Sequence, residues 1–140
     1  MNGPSPHLSW AELGCKDGTA YPAEFIQDGR VHRLAVLFEA IRAVCGHQPI
    51  AVVSAYRSPS HNRKIGGAKH SQHVQGRALD LRPPKGWSVA RFHQRIRQLA
   101  PSLPDLKGIG RYASFVHVDI RPTERLVVWG GGAAQKDAAA

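Results

Sequence analysis

The chain is poor in cysteine, in acidic residues and in long apolar runs. Two cysteines, Cys15 and Cys45, stand among 140 residues. Two thiols build neither a disulfide framework nor a four-cysteine zinc site. Cys45 follows apolar residues at helical spacing and is expected to be a buried thiol. Whether it pairs with Cys15 is not legible from spacing. No apolar run approaches the ~18–20 residues of a membrane span. The opening MNGPSPHLSW has no basic segment followed by an apolar one, so no ordinary secretory leader is expected. Internal repeats are missing too, which excludes fibrous and collagen-like chains.

What is present is globular. Apolar residues make up 42% and charged residues 21%, enough for one packed core and not for two. One domain is expected over residues 1–130, with a low-complexity, disordered tail at 131–140. Nineteen basic residues against ten acidic ones leave +9 with histidine neutral. Such a surface attracts polyanions. Nucleic acid is the first partner to consider, through Arg91, Arg95 and Arg97 on a basic helix. Aromatics are only 7% and no DNA-reading motif is present, so specific nucleic-acid binding is set aside.

Ser9 before Trp10–Leu13, with Glu12 three residues on, predicts a short boxed helix. Residues 15–29 read as irregular. Val31, Leu34, Leu37, Phe38, Ile41 and Val44 share one face of a helix over about 29–44, stopped at Gly46. Residues 49–54 read as a buried strand, 55–76 as a long polar loop and 77–82 as a second strand. A basic amphipathic helix is expected over 88–100. Residues 108–113 and 114–121 form a hairpin, and 126–129 an edge strand.

Eight histidines are many for this length, and two segments concentrate the chemistry. In Ser71–Asp80, His73 precedes by seven residues an aspartate inside an apolar strand. A carboxylate there is costly unless it is paired or bound to a cation. In Phe115–Asp119, alternation puts Phe115, His117 and Asp119 on one face and Val116 and Val118 on the other. Two histidines and a carboxylate with an open fourth position form a catalytic zinc arrangement, and a hydrogen-bonded His–Asp pair is the plainer alternative.

The residues Ser54-Ala55-Tyr56-Arg57-Ser58-Pro59, His61-Asn62, Gly66-Gly67, Ser71-x-His73-x-x-Gly76-x-Ala78-x-Asp80 and Phe115-Val116-His117-Val118-Asp119 resemble the zinc D-alanyl-D-alanine peptidases. So does the opening Leu8-Ser9-x-x-Glu12-Leu13-x-Cys15. These enzymes share a superfamily with lysostaphin-type peptidases and the hedgehog signalling domain. The nearest branch is the small single-domain form found in bacteriophage and prophage genomes. The resemblance runs from about Leu8 to Trp129. It implies an α+β fold, with a central antiparallel sheet and flanking helices of the hedgehog and D,D-peptidase kind.

It also implies roles. His73, Asp80 and His117 match the three zinc ligands. Arg57 matches the arginine that holds a substrate carboxylate, a task its planar fork suits. Ser71 matches a serine near the substrate, with a local turn cap as the alternative. From their place in the loop rather than from the resemblance, His70 and Tyr56 are candidates to touch the substrate, with loop solvation the alternative for His70 and core packing for Tyr56. Several branches carry an acid three residues before the last ligand, where Ser114 stands, and others a histidine two before it, where Phe115 stands. Asp119 remains as general base, or as the group that orients a ligand imidazole.

The resemblance thus implies a zinc-dependent D,D-carboxypeptidase or endopeptidase acting on D-alanine bonds of peptidoglycan peptides. The alternative is a catalytically inactive zinc module that binds wall or a protein partner. A monomer is expected, made in the cytoplasm and reaching the wall through a lysis partner or a virion.

Overall fold

The computed structural model describes residues 2–130; the expected disordered tail at 131–140 lies outside them. Helix α1 (Trp10–Leu13) opens with the expected reciprocal cap. Ser9 Oγ accepts the Glu12 N–H at 3.1 Å, and the Glu12 carboxylate accepts the Ser9 N–H at 2.9 Å. Helix α2 (Ala23–Gln27) lies in the stretch read as irregular. Its five residues are too few to show a helical period, and Phe25 and Ile26 pack it on the core.

Helix α3 (Arg30–Val44) buries Val31, Leu34, Ala35, Leu37, Phe38 and Ile41. It ends where Gly46, at φ 77°, turns left-handed. The Gly46 N–H then reaches Ala43 O and the His47 N–H reaches Arg42 O, which satisfies two terminal carbonyls. Strand β1 (Val52–Ser54) is half-buried, because it is a sheet edge rather than the fully buried strand expected. Helix α4 (Pro59–Lys64) sits inside the long polar loop. Its signals are local ones: Ser58 Oγ accepts the His61 N–H at 3.2 Å, and Pro59 takes the first turn.

Strand β2 (Ala78–Leu81), helix α5 (Val89–Leu99), strands β3 (Gly108–Arg111) and β4 (Val116–Asp119), and strand β5 (Val127–Trp129) complete the chain. A 3₁₀ turn at Ala100–Ser102 closes α5. The sheet order is β1-β2-β4-β3-β5. Four strands are antiparallel, as expected, and β5 is parallel to β3, so the sheet is mixed. The direction of β5 has a simple cause. Strand β4 is already paired on both sides, and the nearer open edge is that of β3, one strand away, rather than that of β1, two strands away. The chain leaves β4 beside the start of β3, rounds that end, and runs back along it; Val127 N–H bonds Lys107 O there.

Alternation divides the sheet. Leu79, Leu81, Val116 and Val118 join Leu34, Phe38, Phe92, Ile96 and Ile109 in one core. Each such side chain is worth about 1.5–3 kcal/mol when buried. Asp80, His117 and Asp119 therefore emerge on the opposite face. Both cysteines are buried and free, Cys45 as expected. No helix among the described residues is long and apolar enough to cross a membrane.

Candidate metal centre

The register builds the site. Asp80 of β2 lies opposite His117 of β4, and Ala78 lies opposite Asp119. His73 arrives from the tight turn before β2, which closes through Gly76 N–H to His73 O and Arg77 N–H to Gln72 O. Gly76 supplies φ 65° there, and an added Cβ would also meet the Phe25 ring at 2.5 Å. Ligand-type atoms of His73, Asp80 and His117 lie within 4.8 Å of one another, and all three residues are buried.

The hydrogen bonds settle which atoms face inward. His73 Nδ1–H donates to Ala55 O at 2.6 Å. That leaves the Nε2 lone pair 3.1 Å from Asp80 Oδ1, with no hydrogen-bond partner. His117 Nε2–H donates to Asp119 Oδ2 at 2.7 Å, which turns its Nδ1 toward Asp80 Oδ1 at 3.0 Å. Two imidazole lone pairs and a carboxylate oxygen thus converge in a buried site. Acceptors repel unless a proton or a cation lies among them. This donor set fits zinc, which takes imidazole nitrogen and carboxylate oxygen.

The electrostatics agree with that reading. Burial holds the His73 imidazole below its ordinary pKa, and the Asp80 charge offsets this only in part. For His117, burial pulls down, but the bonds to Asp119 and Asp80 prevail and the pKa is raised. Burial alone would raise Asp80. The two histidines outweigh it and hold the carboxyl well below the usual range.

The second oxygen of Asp80 is engaged by Arg57. The guanidinium Nη2 lies 3.4 Å from Oδ2, Nη1 donates to Asn62 Oδ1 at 3.2 Å and Nε to Ser54 Oγ at 3.1 Å. Arg57 is only 3% exposed. Beside it, a cavity of about 450 Å³ is lined by Pro59, Asn62, Arg63, Gly67, Lys69 and Val74. Asp119 is fully buried, and both its oxygens are held, by His117 and by a two-pronged Arg121 at 2.9 and 2.8 Å. Burial raises the Asp119 pKa, and the bonds from His117 and Arg121 reverse that.

The remaining expected residues are spread around this centre. Ser71 is buried, and its Oγ accepts the His73 N–H at 3.2 Å, so it caps the turn that carries His73. Tyr56 is buried edge-on against Tyr21 and Phe25, with centroids 6.2 and 6.1 Å away. His70 is exposed on the loop.

Three contributors are not foreseen from sequence. Arg121 follows Asp119 by two residues, and that same-face spacing is the available signal. Asn62 holds Arg57 across a helical turn. Trp129 of β5 stacks obliquely at 5.2 Å from the His117 ring. Two glycines make the room. A Cβ on Gly108 would sit 2.2 Å from Asp119 Oδ2, and one on Gly110 would sit 2.3 Å from the Trp129 ring.

A protein-family model described as Peptidase M15 matches residues 6–119, which takes in α1 to β4 and all three converging side chains. No curated protein matches the chain.

Proposed function

The chain belongs to the peptidase M15 family, and on that premise we propose that it is a zinc metallopeptidase hydrolysing D-alanine-containing bonds of bacterial peptidoglycan stem peptides or cross-links. The carrying observation is the convergence of His73 Nε2, Asp80 Oδ1 and His117 Nδ1, three acceptors aimed at one point. Zinc bound there supplies Lewis acidity toward a peptide carbonyl and a nucleophile at neutral pH. The chain's own residues do the rest. His73 is locked by Ala55 O, so its ring cannot turn away. Asp119 holds the His117 ring and its tautomer from behind, and Arg121 keeps that carboxylate ionised. With both oxygens occupied, Asp119 acts as a positioning residue rather than as the base.

Arg57 fixes Asp80 and holds Asn62, a residue of the cavity wall, where Arg63 and Lys69 add positive charge. A peptide ending in a carboxylate is drawn to this side, with Ser71 and His70 on the loop that frames it. The test combines metal content with digestion of purified wall fragments. His73→Ala and Asp80→Ala should each lose one equivalent of zinc and all hydrolysis, and mass spectrometry should find wild-type products cut at D-alanine. Variants that keep the full zinc content would overturn the site; products cut elsewhere would overturn the substrate.

One observation favours a second reading, a zinc-containing module that binds wall or a partner protein without cleaving it. Both oxygens of Asp119 are committed to His117 and Arg121, and Ser114 stands at a position where an acid would serve as base. A wild type that binds wall fragments and releases no product selects this reading.

A further inference from the structure

A second group of metal-type donors lies apart from the His73, Asp80 and His117 centre. Cys15 Sγ, a carboxylate oxygen of Asp17 and a ring nitrogen of His61 lie within 4.8 Å of one another. They come from two segments distant in sequence: the loop after α1 and the first turn of α4. The loop is tightly turned. Cys15 N–H bonds Thr19 O at 2.8 Å, Gly18 N–H bonds Cys15 O at 3.0 Å, and Gly18 adopts φ 95°. This turn sends the side chains of Cys15 and Asp17 to the same side, toward α4.

Ser58 ties the three together. Its Oγ–H donates to Asp17 Oδ2 at 2.6 Å, its N–H donates to Cys15 Sγ at 3.4 Å, and its Oγ accepts the His61 N–H at 3.2 Å. Thr19 N–H holds the other Asp17 oxygen at 2.9 Å. The donor geometry is therefore set by backbone and by a shared serine. Cys15 is 7% exposed, while Asp17 is exposed and His61 half-buried, so an ion has an entry path.

We propose that Cys15, Asp17 and His61 form a second metal site, for a thiophilic divalent cation of the zinc class. Thiolate, imidazole and carboxylate are the donors such an ion takes, whereas magnesium and calcium take oxygen alone. On binding, the Cys15 S–H bond breaks, its proton goes to solvent, and a sulfur–metal bond forms. One thiolate and one carboxylate then neutralise the dication, and water fills the fourth position. The ion staples the 15–19 loop to α4 through His61, one turn beyond Ser58 and Arg57. The site is thus a clamp on the segment that borders the first centre, and it stands whether or not that centre is catalytic.

Cobalt(II) tests this directly, because the donor sets differ in sulfur. The first centre has no thiolate, so a thiolate-to-cobalt charge-transfer band reports on the second site alone. Wild-type protein titrated with cobalt should show the band, and His73→Ala should keep it. Cys45→Ser should keep it too, since Cys45 lies buried at the end of α3. Cys15→Ser should abolish it, and His61→Ala and Asp17→Ala should each weaken cobalt binding at least tenfold. Absence of the band at saturating cobalt overturns the site. So does a band that survives Cys15→Ser, or one indifferent to both His61→Ala and Asp17→Ala.

Discussion

Asp119 shows how one buried carboxylate serves its neighbours. It accepts from His117 and from Arg121, and both bonds are charge-assisted and short. Asp119→Asn keeps the volume and removes the charge. Zinc affinity should fall about 10–100-fold, the usual cost of losing a partner behind a ligand histidine, with the fold intact. Isothermal titration against the zinc-free protein measures this, and circular dichroism checks the fold. The pair Asp80 and Arg57 behaves differently. Arg57 is buried, so Arg57→Ala leaves one oxygen of a buried carboxylate short of its guanidinium partner. A loss of about 3–5 kcal/mol in stability is expected in denaturant titration of the metal-free protein.

The β3–β4 hairpin owes its polar face to absent side chains. Gly108 and Gly110 pair with Asp119 and His117, and the space above them is taken by Asp119 and Trp129. Gly108→Ala forces a methyl into the Asp119 carboxylate. Destabilisation of about 1–3 kcal/mol is expected in urea, together with weaker zinc binding. Helix α3 carries a different element-scale device. Glu39 accepts Ser5 Oγ–H at 2.6 Å, His7 N–H at 2.9 Å and His7 Nδ1–H at 2.7 Å, which pins the N-terminal segment. Burial raises its pKa, but these bonds prevail and hold it below the ordinary 4.5. A depressed carboxylate stabilises the fold above its unfolded pKa and loses that contribution as pH falls through the folded one. Wild type should therefore melt above Glu39→Gln at pH ~6, and the gap should close as the pH drops below about 4.

At the scale of the whole molecule, two charge effects meet. The interior gathers converging acceptors at His73, Asp80 and His117, while the chain as a whole carries +9, nearly all of its basic groups lying outside that centre. The interior set suits zinc, and removal of the ion should be felt globally. Zinc held at about 100 times its dissociation constant adds about 2.7 kcal/mol to the folded state. Chelation should therefore lower the melting temperature of wild type, and should leave His73→Ala lowered only by what the Cys15 site contributes. The surface charge acts at longer range and is screened by salt. Association with anionic wall fragments should weaken steeply as ionic strength rises, which a sedimentation assay across a salt series reads directly.

Much of this molecule is legible in the sequence, because the deciding interactions there are local or periodic. The period of α3, the capping box of α1 and the Gly46 stop each depend on residues within a few positions. The two-residue alternation of 115–119 separates a polar face from an apolar one before any contact is known. Short helices α2 and α4 escape because five or six residues carry too little period. Only the tertiary structure decided the rest. Register across β2 and β4 set Asp80 against His117, and the occupied edges of β4 sent β5 parallel to β3. Which ring nitrogen faces inward depends on Ala55 and Asp119, and the meeting of Cys15 with His61 depends on a turn and a helix far apart in the chain. Most such contacts join residues far apart in the chain, and their geometry exists only once the core has packed.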